Sequence, residues 1–353
     1  MEFRGVQRLM DAQTLTFPHS APPAPGEIIT IAPGVLWFRL KLPFQLNHVN
    51  IYLIEDDKGW LVLDTGLGTD DCRAGWDSIL SGPLKGERLS AMLVTHFHPD
   101  HVGLAGWLAQ SHDLSLAMPR TEYLYHLMAA HGRGDMYDNT HREFYRANGL
   151  APDTTDVILG RGLNYLRLTT GVPSFFERIQ HGDVRRIGGR DLNVLTGGGH
   201  ALEQAMLYQP NGRLLFAADQ VIARISPNVS VHPVEPADNP LGVYLNDLGA
   251  LRRAVPDDVL VLPGHGLPFF GLHARIDELT EHHASRCARI ADCCREQPLA
   301  GAALVPLLFD RELDAHQTGF AFGEVMAHLN YMTGLGELRK ETGADGVHRF
   351  RSR

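Results

Sequence analysis

Thr95-His96-Phe97-His98-Pro99-Asp100-His101 closes a buried apolar run, SAMLVTH (residues 90–96), and opens a segment whose spacing predicts a helix over about 100–111. On an extended segment, side chains two apart project to the same side. His96 and His98 can therefore face one metal ion, and the turn into the helix swings Asp100 and His101 toward a second position. Strand ends of this kind are common places for sites. Three further residues stand in the same context later in the chain. His200 follows three glycines in LTGGGHALEQ, Asp219 ends the strand RLLFAAD, and His265 ends DVLVLPGHG. Glycine lets the backbone turn tightly and approach a bound ion. Histidine is the commonest metal ligand among side chains, and its recurrence at successive strand ends points to a metal centre.

Working outward, residues 27–64 read as short strands broken at Pro33-Gly34 and at Asp56–Gly59, and a helix follows at about 70–82. From about 113 to 183 the apolar spacing turns helical, which predicts a mostly helical insertion. Strands return in DLNVLTGG, EQAMLYQP and RLLFAAD, with Asn211-Gly212 as a hairpin turn. A helix near 241–254 and the strand DVLVLPGHG complete this part. The last stretch predicts three helices and a terminal strand pair turning at Gly343–Gly346, either a small helical, winged-helix-like module or a helical cap on the main core. The expected division is a disordered tail over 1–24, a main domain over 25–276 and the C-terminal module over 277–353.

The formal net charge of −9 argues against a nucleic-acid partner, because phosphate binding needs a basic footprint. No apolar run is long enough to span a membrane, and residues 1–27 lack the apolar core of a signal peptide. Cys72, Cys287, Cys293 and Cys294 form no CxxC pair, and a reducing, cytoplasmic setting is expected.

The chain resembles the metallo-β-lactamase superfamily. The resemblance rests on Asp64 in LVLDTG, the T-H-F-H-P-D-H run, His200 in GGGH, Asp219 in AAD and His265 in LPGHG, and it covers about residues 25–272. It implies an α+β fold, an αββα sandwich with the site at one edge. It implies that His96, His98 and His200 bind one metal, that Asp100, His101 and His265 bind a second, and that Asp219 bridges both. Such a nitrogen-rich set suits two zinc ions, and iron or manganese could also occupy it. Asp64 is implied to orient the ligand loop without binding metal. The implied reaction is hydrolysis by a bridging hydroxide, whose pKa two cations bring to about 7 or below. Asp100 is implied to orient the hydroxide and pass its proton to the leaving group.

The preferred substrate reading is an ester or thioester in a small molecule, in the manner of hydroxyacylglutathione hydrolase. The stretch Ala201-Leu202-Glu203-Gln204 departs from thioesterase relatives that carry a second Gly-His after the histidine. Ile222 stands where lactonase relatives carry a tyrosine. The alternatives are a lactonase, a persulfide dioxygenase with one iron, and an endoribonuclease, since some relatives with a winged-helix-like C-terminus act on RNA. Ser226, Asn228 and Ser230 follow Asp219 closely, and Tyr137 lies in the insertion; these are candidate substrate contacts. The C-terminal module is expected to be structural or to hold a homodimer together.

Overall fold

Alternation of apolar and polar residues over 29–63 folds as an antiparallel meander, β1 (Ile29–Ala32), β2 (Val35–Lys41), β3 (His48–Asp56) and β4 (Gly59–Leu63). The computed structural model describes the backbone of residues 15–131, 135–162, 164–310 and 312–353, and within these the side chains of all but 131, 135–137, 161, 162, 164, 166, 315 and 316. After the meander come α1 (Asp70–Ser81), β5 (Leu89–Leu93), α2 (Pro99–Val102), α3 (Ala105–His112) and β6 (Leu116–Pro119). Then follow α4 (Arg120–His131), α5 (Asp135–Ala147), α6 (Pro152–Gly162), α7 (Asn164–Arg167) and β7 (Glu177–Ile179). The seven strands form one sheet in sequence order, parallel from β4 onward.

The second half supplies β8 (Val184–Ile187), β9 (Arg190–Gly197), β10 (Gln204–Gln209), β11 (Leu214–Ala218), α8 (Pro240–Ala254) and β12 (Leu260–Pro263). They form a sheet of order β12-β11-β10-β9-β8, antiparallel except for the β11–β12 pair. The chain ends in α9 (Leu272–Glu296), α10 (Gly301–Leu308), α11 (Ala315–Gly334) and the hairpin β13 (Leu338–Thr342) and β14 (His348–Ser352). Trp37, Tyr52 and Leu93 of the first sheet meet Val194, Leu207 and Phe216 of the second. The other face of the first sheet packs Phe38 and Ile51 against Trp76 of α1 and Leu108 of α3. The other face of the second packs Leu215 and Val261 against Tyr244 of α8 and Ile276 of α9. This is the expected αββα sandwich, and burial on both faces explains why its central strands read as continuous apolar runs.

Three expectations are corrected and one is refined. The predicted helix over 100–111 is broken between α2 and α3. There Leu104 N–H donates to Gly66 O, and Thr170 donates to Gly103 O through both N–H and hydroxyl, so backbone groups that would continue the helix serve neighbouring loops. The insertion over 113–183 is mostly helical as expected, through α4 to α7, but it begins and ends as strands, because LAMP and ERI pair in parallel at the edge of the first sheet. Four- and three-residue strands carry too little periodicity to be read from sequence. The tail expected to be disordered to residue 24 is ordered from Leu15: Thr16 exchanges backbone hydrogen bonds with Phe270, and the Phe17 ring lies 6.4 Å from that of Phe269.

The boundary at 277 falls inside α9, whose side chains from Leu272 to Cys294 belong to one apolar core with α8, α11 and the insertion's Phe144. The C-terminal helices and hairpin are thus built onto the second sheet's outer layer, the capping arrangement of the two expected. Among the described residues no helix is long and apolar enough to cross a membrane.

Candidate metal centre

β4 and β5 run parallel, and so do β9, β11 and β12, since two antiparallel steps separate β9 from β11. Their carboxyl ends therefore collect at one edge of the sandwich. Asp64 follows β4, Thr95–His101 follow β5, His200 follows β9, Asp219 follows β11 and His265 follows β12. Cross-links between the sheets hold this edge together. Ala205 N–H donates to Thr95 O at 2.9 Å, and the Asn50 side-chain amide and Tyr52 hydroxyl both donate to Pro263 O, at 2.8 and 2.9 Å.

The local backbone is under constraint. Asp64 and Ala218 have φ of 63° and 44°, left-handed values that cost a residue with a Cβ roughly 1–2 kcal/mol. Such strain is typical of functional sites. Gly264 allows the closest approach: a Cβ there would lie 2.2 Å from Asp219 Oδ1 and 2.9 Å from the His101 ring. Gly199, at φ 95°, turns the chain where a Cβ would strike Tyr244.

The hydrogen bonds fix which ring nitrogen each histidine presents. Thr95 donates its N–H and its hydroxyl to the two Asp64 carboxylate oxygens, so the hydroxyl accepts from His96 Nδ1–H at 2.9 Å. His101 Nδ1–H donates to Asp64 Oδ2 at 2.8 Å. His200 Nδ1–H donates to Asn228 O at 2.8 Å, and His265 Nδ1–H to His48 O at 2.7 Å. With Nδ1 so engaged, each of these rings turns its Nε2 inward. His96 Nε2 faces His98 Nδ1 at 3.0 Å. Asp219 Oδ2 sits among three of the rings, 3.1 Å from His265 Nε2, 3.4 Å from His200 Nε2 and 3.6 Å from His101 Nε2. Asp100 Oδ2 is 3.3 Å from His265 Nε2 and 3.8 Å from His101 Nε2.

The structure thus brings together all seven residues singled out as ligands. Potential ligand atoms of His96, His98 and His200 lie within 4.8 Å of one another, as do those of Asp100, His101 and His265, and those of His96, His101 and Asp219. His101 Nε2, His200 Nε2 and Asp219 Oδ1 are buried without a hydrogen-bond partner. Leaving such atoms unsatisfied is costly, and a cluster of inward ring nitrogens with two carboxylates calls for positive charge. Titration directions agree. Burial opposes charge on His265, yet Asp219 and Asp100 override it and push the group up to about 10. His96 and His98 lie further from the carboxylates, and burial first, then neighbouring rings, holds both well below the ordinary histidine range. The residues present fit bound metal cations.

The clamp on the first ligand loop has no counterpart in the sequence reading. The Phe97 peptide lies between His96 and His98. Its N–H donates to Glu122 Oε2 at 3.0 Å, and its carbonyl accepts from Tyr165 Oη at 2.7 Å. Glu122 Oε1 also accepts from Glu203 N–H, beyond His200, at 2.5 Å. The insertion therefore supplies both halves of the clamp. Burial pushes the Glu122 carboxyl up to about 7. No short motif surrounds either residue; only their buried polarity, visible in three dimensions, marks them.

The substrate-contact candidates divide. Asn228 reaches the centre through its carbonyl, while its side chain accepts from Ser230 Oγ at 2.7 Å and donates to Phe320 O. Ser226 is half-buried in the same loop. The Tyr137 side chain lies outside the described residues.

Comparison with known proteins agrees with this architecture. Residues 45–265 match the profile described as metallo-beta-lactamase superfamily, and residues 287–353 that described as metallo-beta-lactamase-like, C-terminal domain. A probable metallo-hydrolase of Bacillus subtilis is 23% identical over 291 residues, 79% of this chain and 87% of that protein. An acyl-coenzyme A thioesterase of Gallus gallus is 27% identical over 270 residues, 74% of this chain and 88% of that protein. Among solved structures, a beta-lactamase domain protein from Burkholderia ambifaria aligns with a TM-score of 0.89 at 39% identity, over 96% of this chain and 98% of that one. With the family profile spanning more than half of its length and the strand-end cluster in place, the chain belongs to the metallo-beta-lactamase superfamily.

Proposed function

We propose that this protein is a dinuclear-metal hydrolase that cleaves an ester or thioester bond in a small molecule. His96, His98 and His200 would hold one ion, Asp100, His101 and His265 the other, and Asp219 would contact both. The observation that carries the reading is the convergence of three inward Nε2 atoms on Asp219 Oδ2, with buried ligand atoms left unpartnered. Zinc is the proposed metal, given five imidazoles, two carboxylates and no thiolate. Bound cations supply Lewis acidity and bring a water's pKa toward neutrality.

The chain's own residues do the rest. Asp64 and the carbonyls of Asn228 and His48 fix the ring tautomers, and Glu122 and Tyr165 fix the loop that carries His96 and His98. Asp100 is the carboxylate with the most solvent access in the cluster. Burial works against its charge, but His101 and His265 outweigh burial and keep it ionised well below the usual carboxylate range. It accepts the proton of the attacking water and returns it to the leaving group. The thioester preference is supported by the relatives named acyl-coenzyme A thioesterase. A cytoplasmic, reducing setting is in keeping with four free cysteines. The test is a panel of acyl thioesters, esters, lactones and single-stranded RNA with zinc-loaded protein. Thioester or ester turnover is expected. RNA cleavage in its absence would overturn the reading.

A further inference from the structure

A groove of about 750 Å³ lies between the β2–β3 loop, the loop after β11, and the C-terminal helices. That volume is in the range of small-molecule pockets. Its walls are apolar and exposed: Phe44 is 41% accessible, Ile225 43% and Phe320, on α11, 50%. Phe309 and Leu313 continue the surface.

Two backbone links tie this groove to the metal centre. The β2–β3 loop, which carries Phe44, runs into His48, whose carbonyl accepts from His265 Nδ1. Asn228 lines the groove, and its carbonyl accepts from His200 Nδ1. His200 and His265 in turn point Nε2 at the same oxygen of Asp219, at 3.4 and 3.1 Å. The groove's two rims are therefore the two segments that aim ligand histidines.

Charge decides which part of a substrate it takes. Among the described residues, the charged lining residues are Asp314 and Glu324, and no lysine or arginine lines the groove. Asp314 caps the start of α11 by accepting from Gln317 N–H, and Glu324 accepts from Arg286. A phosphate or carboxylate would meet the Asp314 and Glu324 carboxylates, whereas an uncharged chain would exchange water for aromatic and aliphatic walls.

Building on the ester or thioester reading above, we infer that this groove receives the acyl chain of the substrate, an apolar chain, and that α11 is a specificity wall of the active site. The C-terminal segment then has a reason to be docked on the sandwich beyond stability.

The experiment measures kcat/KM for a series of thioesters that share one leaving thiol and carry acyl chains of two to twelve carbons. Burial predicts a rise of about fourfold per methylene until the groove is full. Phe320→Ala and, separately, Ile225→Ser should lower the ratio of long-chain to short-chain kcat/KM about tenfold, with metal content unchanged by elemental analysis. Product binding gives a second reading: decanoate should raise the thermal midpoint of the wild type more than acetate does, and Phe320→Ala should narrow that difference. Turnover that is flat across chain length, or ratios untouched by both substitutions, would overturn the groove assignment alone. Failure to cleave any thioester or ester with both ions bound would instead overturn the reaction on which it rests.

Discussion

Asp64 Oδ2 accepts Nδ1–H of His101 at 2.8 Å while the same carboxylate takes the Thr95 N–H and hydroxyl. One buried side chain thereby sets the tautomer of a ring on the Asp219 side of the centre and, through Thr95, that of His96. An asparagine would turn an NH₂ toward one of these donors. Asp64→Asn should lower metal affinity or turnover roughly 10- to 100-fold, read by chelator competition and by kcat. A change under about twofold in both would contradict the role.

Purified protein should retain about two divalent ions per chain, chiefly zinc. Asp219→Ala should lose more metal than His98→Ala, because Asp219 Oδ2 lies against His101, His200 and His265 together. Elemental analysis after dialysis reads both. One firmly held iron per chain would argue for a different reaction.

Glu122→Ala removes the acceptor for two backbone N–H groups, Phe97 and Glu203, that flank ligand histidines. Each unsatisfied donor costs about 1–3 kcal/mol. The variant should unfold at lower temperature and release metal more readily. An unchanged zinc affinity would show that the clamp serves only the fold.

Phe322 is fully buried where α11 meets the insertion, with its ring 5.9 Å from Phe144 and 5.5 Å from Tyr145. Phe322→Ala should reduce unfolding stability by about 3–5 kcal/mol, measured by denaturant titration. A loss below about 1 kcal/mol would mean that the C-terminal helices do not share the main core.

Acid should weaken the α9–α11 contact. His328 Nδ1–H donates to Glu324 O, and His328 Nε2 accepts from His283 Nδ1–H at 3.2 Å. Burial lowers His328 from 6.5 to about 4, and burial, with His328 beside it, lowers His283 further. Arg286, Glu324 and His282 are the charged or titratable groups around them. The unfolded chain takes up protons as pH falls through 6.5 while the native pair does not, so stability is full above that pH and is lost as pH falls toward about 4. For His328 alone the loss is on the order of 3 kcal/mol. Replacing both rings with apolar residues should flatten the slope of unfolding free energy over this window. An unaltered slope would exclude the pair as its source.

Much of this protein is legible in its sequence because its signals are local. The T-H-F-H-P-D-H run, the glycines before His200 and His265, and the acidic end of RLLFAAD each mark a strand terminus within a few residues. Continuous apolar runs announce strands buried on both faces. What the sequence could not determine depends on contacts between distant residues. β6 and β7 are too short to carry a period and exist because the edge of the first sheet offers them a ladder. Leu15 to Phe17 read as tail until Phe269 and Phe270 are placed beside them. Glu122 and Tyr165 meet the Phe97 peptide from 25 and 68 residues away. The apolar groove joins residue 44 to residue 320. Local chemistry fixes which atoms are available as ligands; only the packing of the two sheets and the C-terminal helices fixes which nitrogen each ring presents and what surface a substrate would meet, because those are set by long-range contacts and not by neighbours along the chain.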